Sequence, residues 1–248
     1  MNILIFAAGL GTRLKPLTET MPKALVTVKG KSLLSILIEK IKRQDKESEN
    51  LNIAINIHHF AEQIIDHIKQ NHSFGLNIQF SDERDMLLDT GGGLKKALTL
   101  FPDESPVLIH NVDILSNIDL PSFYSKLKGA SMLLVNERET TRYLLFDDEN
   151  KLAGWINTAT GEVKSPFPQF DPAKYHRYAF SGIQVVNPTI LKPYLAKWEG
   201  KFSIIDFYLS ICDKVDIFCD NRKDLQMIDV GKTDILNNLQ NQDITSFE

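Results

Sequence analysis

Gly9-Leu10-Gly11-Thr12-Arg13-Leu14 directly follows the apolar run Ile3 to Ala8. Only glycine lets a backbone approach closely enough for its N–H groups to cradle phosphate oxygens, so this spacing points to an anion held just beyond a first strand. The surrounding charge agrees. Residues 1 to 35 hold Arg13, Lys15, Lys23, Lys29 and Lys31 against Glu19 alone, in a chain where 28 Lys and Arg are outnumbered by 32 Asp and Glu. A polyphosphate accounts for that local excess, because an arginine can bind two oxygens in fork geometry while a lysine acts as a mobile point charge. Pro16 and Pro22 bracket Leu17 to Met21 and limit its freedom, which predicts an ordered clamp between Arg13 and Lys23.

Two other phosphate-binding patterns do not fit. A dinucleotide fingerprint needs a small residue where Leu14 stands and an acid at the end of the second strand, where Asn56 to His59 occur. Gly30-Lys31-Ser32 ends like a P-loop, but Leu25 occupies the place of that motif's first glycine. Asp113 and Asp229 each follow an apolar strand, and ligands of open α/β sheets collect beyond the carboxyl ends of strands. Two such carboxylates can share one Mg²⁺, which keeps waters and phosphate oxygens as its remaining ligands. A strand-end Asp is also a common turn former, so it is the coincidence with the glycine turn that singles these out. The six histidines lack zinc-site spacing and read as structural or surface residues, with His58 and His59 on opposite sides of a strand. Cys212 and Cys219 read as core thiols, and Trp155 and Trp198 as core aromatics or stacking platforms.

These residues need strands and helices to carry them. Apolar runs at Ile3 to Ala8, Leu51 to Ile57, Leu76 to Phe80 and Val107 to His110 alternate with helical periods at Leu33 to Ile41, behind Ser32 as N-cap, and at Ala61 to Ile68. A further helix is expected after Thr90-Gly91-Gly92-Gly93. This is the pattern of βαβ units. Closer runs at Ala130 to Val135, Tyr143 to Phe146 and Phe180 to Val186 suggest hairpins, and the proline-bearing stretch from Lys164 to Tyr178 a loop. Helices from Pro188 and Ser203, strands at Val215 to Phe218 and Met227 to Val230, and a helix after Lys232 complete the chain.

At 248 residues, with 43% hydrophobic and 24% charged residues, the composition is that of a globular protein. The net charge of −4 argues against a partner as polyanionic as a nucleic-acid polymer, and no apolar run approaches a membrane span. With no basic leader ahead of Ile3, the expectation is a cytoplasmic protein, taken as a monomer by default.

The run Ala7 to Leu25, AAGLGTRLKPLTETMPKAL, resembles the signature loop of the sugar-1-phosphate nucleotidyltransferases. Asp89-Thr90-Gly91-Gly92-Gly93, Asn111-Val112-Asp113, Phe180-Ser181-Gly182-Ile183 and Ile228-Asp229-Val230-Gly231 follow in the family's order, extending the resemblance over nearly the whole chain. Within the family, these stretches look most like uridylyltransferases acting on N-acetylmuramic acid 1-phosphate, with mannose-1-phosphate guanylyltransferases also similar. The resemblance implies an α/β protein of Rossmann-like, glycosyltransferase-A type fold. Its mostly parallel mixed central sheet would be flanked by helices in one domain, residues 1–115 forming a nucleotide-binding half and 116–248 a sugar-binding half. It implies an enzyme taking a nucleoside triphosphate, UTP by preference, and a sugar 1-phosphate, with Mg²⁺ as cofactor. Ala8, Gly9, Gly11, Thr12 and Arg13 would hold the triphosphate, with Lys23 on the α-phosphate. Arg13 and Lys23 would be catalytic, Thr90, Gly91 and Gly92 would read the base, and Asn111 and Gly182 would face the sugar. Asp113 and Asp229 would bind the metal. A non-catalytic sensor of nucleotide sugars, or cytidylyl transfer to an alcohol phosphate, would use the same loop. Where the family has glycine this chain has Val112, and a β-branched residue resists positive φ, so a turn that needed one would displace Asp113. No lysine precedes Phe180 where relatives contact the sugar phosphate, which leaves Arg142, Lys174 and Arg177 as candidates.

Overall fold

Ile3, Leu4 and Ile5 are wholly buried because β1 (Asn2–Phe6) runs through the middle of a 10-stranded sheet in the computed structural model, which describes residues 1–45, 51–102 and 104–247. A parallel strand covered on both faces reads as a continuous apolar run, as this one does. Ile3 and Ile5 join one hydrophobic core and Leu4 the other, following the period-2 alternation of a strand.

After a short hairpin of β2 (Thr27–Val28) and β3 (Lys31–Ser32) comes helix α1 (Leu33–Gln44), capped by the Ser32 side chain, which accepts from Ser35 N as expected. Next come β4 (Asn52–Ile57), α2 (Ala61–Gln70), β5 (Asn77–Asp82), α3 (Asp89–Ala97) and β6 (Val107–Asn111). The strands β5, β4, β1 and β6 lie side by side and parallel. Helices α1 and α2 contribute to one core and α3 to the other, as βαβ units require.

Beyond β7 (Ile114–Ser116) and α4 (Leu120–Tyr124) the pairing changes. Strands β8 (Ser131–Asn136), β9 (Arg142–Phe146), β10 (Leu152–Asn157), β11 (Val163–Lys164) and β12 (His176–Val186) build an antiparallel extension, with β12 against β6, β8 and β9. Helices α5 (Pro188–Leu195) and α6 (Ile204–Leu209) cover it, and β13 (Ile217–Asn221) pairs parallel to β8. Last, β14 (Met227–Asp229) pairs antiparallel with β7, and α7 (Thr233–Leu239) follows. The sheet is therefore mixed, its parallel pairs concentrated in the first half.

Two local expectations change. The Gly91-Gly92-Gly93 run lies inside α3, because Asp89 and Thr90 already belong to its first turn. His58 and His59 lie past the end of β4, in the turn before α2, so strand alternation does not apply to them. Cys212 and Cys219 are buried, and burial pushes both thiols up to about 12. No helix among the described residues is long and apolar enough to cross a membrane.

Candidate functional site

The glycine turn leaves β1 at Phe6 and is held from the side by the neighbouring strand. Ala7 N and Ala8 N both donate to Asn56 Oδ1, at 2.6 and 3.0 Å, from near the carboxyl end of β4. Asn56 Nδ2 donates to Glu83 Oε1 at 2.9 Å, and Glu83 Oε2 accepts from Leu88 N at 3.0 Å. Buried polar groups are costly unless bonded, and this chain of bonds fixes the turn to the second and third parallel strands. Gly9 faces open space. Gly11 has φ +62, and a Cβ there would lie 2.8 Å from Thr18 Cγ2, so glycine is required twice over. Thr18 Oγ1 donates to Gly11 O at 2.8 Å, and three short turns, Thr12–Leu14, Leu17–Glu19 and Lys23–Leu25, form the ordered clamp between Arg13 and Lys23.

The two carboxylates arrive on neighbouring backbones. Asp113 follows β6, Asp229 ends β14 opposite Ile114, and Val230 N donates to Asp113 O at 2.8 Å. The nearly buried Lys23 ammonium pairs with Asp113 Oδ2. Arg13 Nη2 stands 3.9 Å from Asp229 Oδ2. A Cβ on Gly231 would come within 2.6 Å of both Arg13 Nη2 and Asp229 Oδ1, so the glycine leaves the space in which these groups meet. Val112 does not take a positive φ. Its N–H donates to Phe6 O at 3.1 Å and its side chain enters the core, so the backbone at this position needs no left-handed residue.

These groups line a cavity of about 450 Å³. Ala8, Gly9, Gly11, Thr12, Arg13, Lys23, Thr90, Asn111 and Asp113 all border it. Gly91 and Gly92 do not: both donate N–H to Phe202 O, at 2.9 and 3.3 Å, and a Cβ on either would strike Phe202 or Gly200 O. Those glycines allow α3 to pack closely, and what the segment presents to the cavity is Asp89 and Thr90. Gly182, with φ +82, sits where a Cβ would lie 2.7 Å from Asn111 Nδ2, so it sets the Asn111 side chain and stands behind the cavity wall. Asp229 does not line the cavity; its carboxylate stands beside the lining residues Arg13 and Gly231. Sequence reasoning passed over Asn56, Glu83 and Lys201, which also line the cavity. Asn56 was legible only as a missing acid, and Lys201 belongs to no motif.

The donor set suits Mg²⁺. Asp229 Oδ1 is buried without a hydrogen-bond partner, and such an oxygen calls for a cation. Among the described residues no three His, Cys, Asp or Glu gather as a complete metal cage, so Asp113 and Asp229 would share the ion with ligand oxygens, the habit of Mg²⁺.

A family model described as nucleotidyl transferase matches residues 2–155, which include the glycine turn, Lys23, Thr90 and Asp113. The chain belongs to that family. Its relatives include the N-acetylmuramate alpha-1-phosphate uridylyltransferases of Caulobacter vibrioides and Neisseria meningitidis. The first is 41% identical over 112 residues, 44% of this chain and 44% of the relative; the second is 36% identical over 124 residues, 50% and 52%. The chain thus spans about half the length of the curated relatives it matches. In fold, the chain is similar to HddC from Yersinia pseudotuberculosis, solved in complex with GMP-PN, with a TM-score of 0.73 over 96% of this chain and 97% of that one at 22% identity.

A second cavity, of about 500 Å³, lies in the antiparallel half of this family member, between α6 and the strands β9 to β12. Arg142 lines it; Lys174 and Arg177 are exposed outside it. Arg138, which no motif marked, lines it as well, and its guanidinium Nη2 donates to Phe180 O at 2.7 Å. Burial lowers the Arg138 pKa, opposed chiefly by the charge of Asp229. Trp155 belongs to this cavity, whereas Trp198 packs on Phe202 and Phe207, with ring centroids 4.9 and 6.0 Å away.

Proposed function

We propose that the chain is an enzyme that transfers the nucleotidyl group of a nucleoside triphosphate to a sugar 1-phosphate and releases pyrophosphate, with UTP and N-acetylmuramic acid 1-phosphate as the preferred pair. The observation that carries this reading is the convergence of Arg13 with Asp229 and of Lys23 with Asp113 at one glycine turn. The substrate pair is supported by the names of the Caulobacter and Neisseria relatives. The reading extends to a cytoplasmic monomer.

An oxygen of the sugar phosphate attacks the α-phosphorus in line, forming the new P–O bond as the α–β bridge breaks and its electrons leave with pyrophosphate. That oxygen is already anionic, so no protein base or nucleophile is required. Gly9, Gly11 and Thr12 position the triphosphate, Arg13 holds its oxygens, and Lys23 neutralises the charge that grows at the α-phosphoryl group. Thr90 orients the nucleoside at the opposite wall, and Asn111, braced by Gly182, faces the acceptor. Mg²⁺, when bound by Asp113 and Asp229, supplies further neutralisation and a template for the phosphates. A bound triphosphate would compete for Arg13 and Lys23, and Asp113 and Asp229 would then be the residues able to hold Mg²⁺.

The test is pyrophosphate release from each of four nucleoside triphosphates against a panel of sugar 1-phosphates, with Mg²⁺ or with EDTA. Release that needs Mg²⁺ and an acceptor, and is fastest with UTP and N-acetylmuramic acid 1-phosphate, is the expected result. Tight product binding without release would make the chain a sensor, and turnover only of GTP with mannose 1-phosphate would reassign the substrates.

A further inference from the structure

Two lysines are buried among the described residues, Lys23 and Lys40. Lys23 is paired with Asp113, whereas Lys40, 3% exposed, makes no ion pair among the described residues. Its ammonium donates instead to two carbonyls, Ser116 O of β7 and, at 3.4 Å, Phe247 O of the short turn Thr245–Phe247. Burial lowers the Lys40 pKa to about 8, with Arg43 adding to the shift and Asp119 opposing it, so at pH 7 the group is still mainly an ammonium. A buried charge without a counter-ion is costly, and a methionine of similar shape would fill the same space without that cost. The charge therefore calls for a task other than packing.

That task lies in what Ser116 belongs to. Strands β7 and β14 form a two-stranded pair apart from the ten-stranded sheet. Asp113 enters the pair, Asp229 ends it, and Val230 N donates to Asp113 O, so the two carboxylates go wherever the pair sits. A lone two-stranded ribbon is marginal in itself and takes its place from what it packs on. Ile114 and Leu115 share a core with Ile36, Leu37 and Ile41 of α1, but apolar contact is non-directional and would let the ribbon shift along the helix. Hydrogen bonds from α1 remove that freedom. Lys40 takes Ser116 O, and one turn later Gln44 Nε2 donates to Ile118 O at 3.1 Å while Gln44 Oε1 accepts from Leu120 N at 3.0 Å. Residues 116 to 120 are thus held at three backbone atoms by two side chains spaced i, i+4 on one face of α1.

We infer that Lys40 and Gln44 are positioning residues, which fix the β7–β14 pair against α1 and thereby set the separation and aim of Asp113 and Asp229. The consequence for Mg²⁺ rests on the proposed reading of those carboxylates as its ligands, while the hold on the pair does not depend on it. Neither side chain lines the first cavity, so their effect reaches a ligand only through the strands they hold.

The test makes two measurements on the full chain. Hydrogen exchange of the Val230 N–H without metal reports whether the pair stays closed on Asp113, and calorimetry with the α,β-methylene analogue of UTP, in EDTA and in Mg²⁺, reports what the carboxylates add. Lys40→Met should exchange Val230 roughly 10- to 100-fold faster than the wild type, with the amides of β1 and β4 unchanged. It should also lose about 10-fold or more of the affinity gained from Mg²⁺, while binding in EDTA stays within about two-fold, since the glycine turn, Arg13 and Lys23 are untouched. Lys40→Arg keeps a charged donor and should recover part of both. Gln44→Ala should show the same pattern at smaller size, and it decides the question if Lys40→Met does not fold. Wild-type exchange at Val230, an undiminished gain from Mg²⁺, or an equal loss of affinity in EDTA and in Mg²⁺ overturns the inference. Absence of any Mg²⁺ gain in the wild type fails the metal reading of Asp113 and Asp229, and exchange at Val230 then still decides whether α1 holds the pair.

Discussion

The two cavities on either side of β6 are built by opposite means. The first lies beyond the carboxyl ends of parallel strands, is made of backbone turns, and sets two of its cations beside acids, Lys23 with Asp113 and Arg13 with Asp229. The second lies on the face of an antiparallel extension, is made of side chains from β9 to β12 and α6, and leaves Arg138 and Arg142 exposed. Pairing offsets the cost of holding the nearly buried Lys23 charge before any ligand arrives, and under the proposed function phosphates would take the cations and leave the carboxylates able to hold Mg²⁺. Under the same reading the second cavity has no such exchange to make, and its Trp155 and Asn157 would give an acceptor sugar a ring and an amide. The first cavity is thus suited to chemistry common to a family, the second to the choice of acceptor.

The largest effect that would sharpen this contrast is at Lys23. Lys23→Ala should lower turnover by roughly 100- to 1000-fold, the usual loss of one preorganised electrostatic donor, with circular dichroism unchanged. Asp113→Asn should fall comparably and abolish the response to added Mg²⁺. Near-normal turnover in either variant removes the exchange of partners as the function of the first cavity.

Next in size is the seam between the halves. His110 on β6 pairs with Ile5 of β1 on one side and with Ile183 of β12 on the other. It is 1% exposed, its Nδ1 lies 2.8 Å from Asn111 O, and its Nε2 has no partner. Burial lowers its pKa from 6.5 to about 4. The folded chain therefore resists a proton that the unfolded chain accepts, so this histidine's contribution is complete above about pH 6.5 and lost as pH falls toward 4. Urea unfolding at pH 7.5 and 4.5 should show the wild type losing roughly 2 to 3 kcal/mol more than His110→Gln over that interval. Equal losses would mean that the seam opens to water.

Asn56 shows why one cavity was legible in the sequence and the other was not. The glycine turn, Lys23 and Asp113 lie in or next to contiguous apolar runs, so they could be read locally, and period and spacing located β1, α1, β4, α2 and β6 around them. Asn56 was visible only in place of the acid that a dinucleotide site would have needed, because nothing local announces that its side chain accepts two N–H groups from a turn 49 and 48 residues earlier. The second cavity draws one to three residues from each of β9, β10, β11, β12 and α6, and a hairpin register cannot be read where β10 and β11 carry no clear alternation. Arg142 was among the candidates to contact the sugar phosphate; Arg138 was not. Asn56→Ala strands Ala7 N, Ala8 N and part of Glu83, and should cost about 1–3 kcal/mol of stability and roughly 10- to 100-fold in kcat/KM for the nucleotide. The acceptor KM should hold, since Asn56 braces only the first cavity; a parallel rise would merge the two.

Gly154→Ala is the smallest change and the converse of the last. Gly154 sits in β10 at a shift of register, beside Trp155, and a Cβ there would lie 2.6 Å from Phe170 Cζ and 3.0 Å from Lys164 O. The phenyl ring can yield, although it stacks on Tyr175 with centroids 4.5 Å apart, but the carbonyl belongs to β11 and can move only by loosening the β10–β11 pair. That pair carries Trp155 and Lys164 into the second cavity and touches nothing that holds the triphosphate. Overpacking of this kind costs about 1–3 kcal/mol in stability, and the acceptor KM should rise several-fold, about 1 kcal/mol, with the nucleotide KM unchanged in initial-rate measurements. If both KM values rose together, the antiparallel extension would be moving the glycine turn through β6, and separate origins for catalysis and acceptor choice could not be maintained.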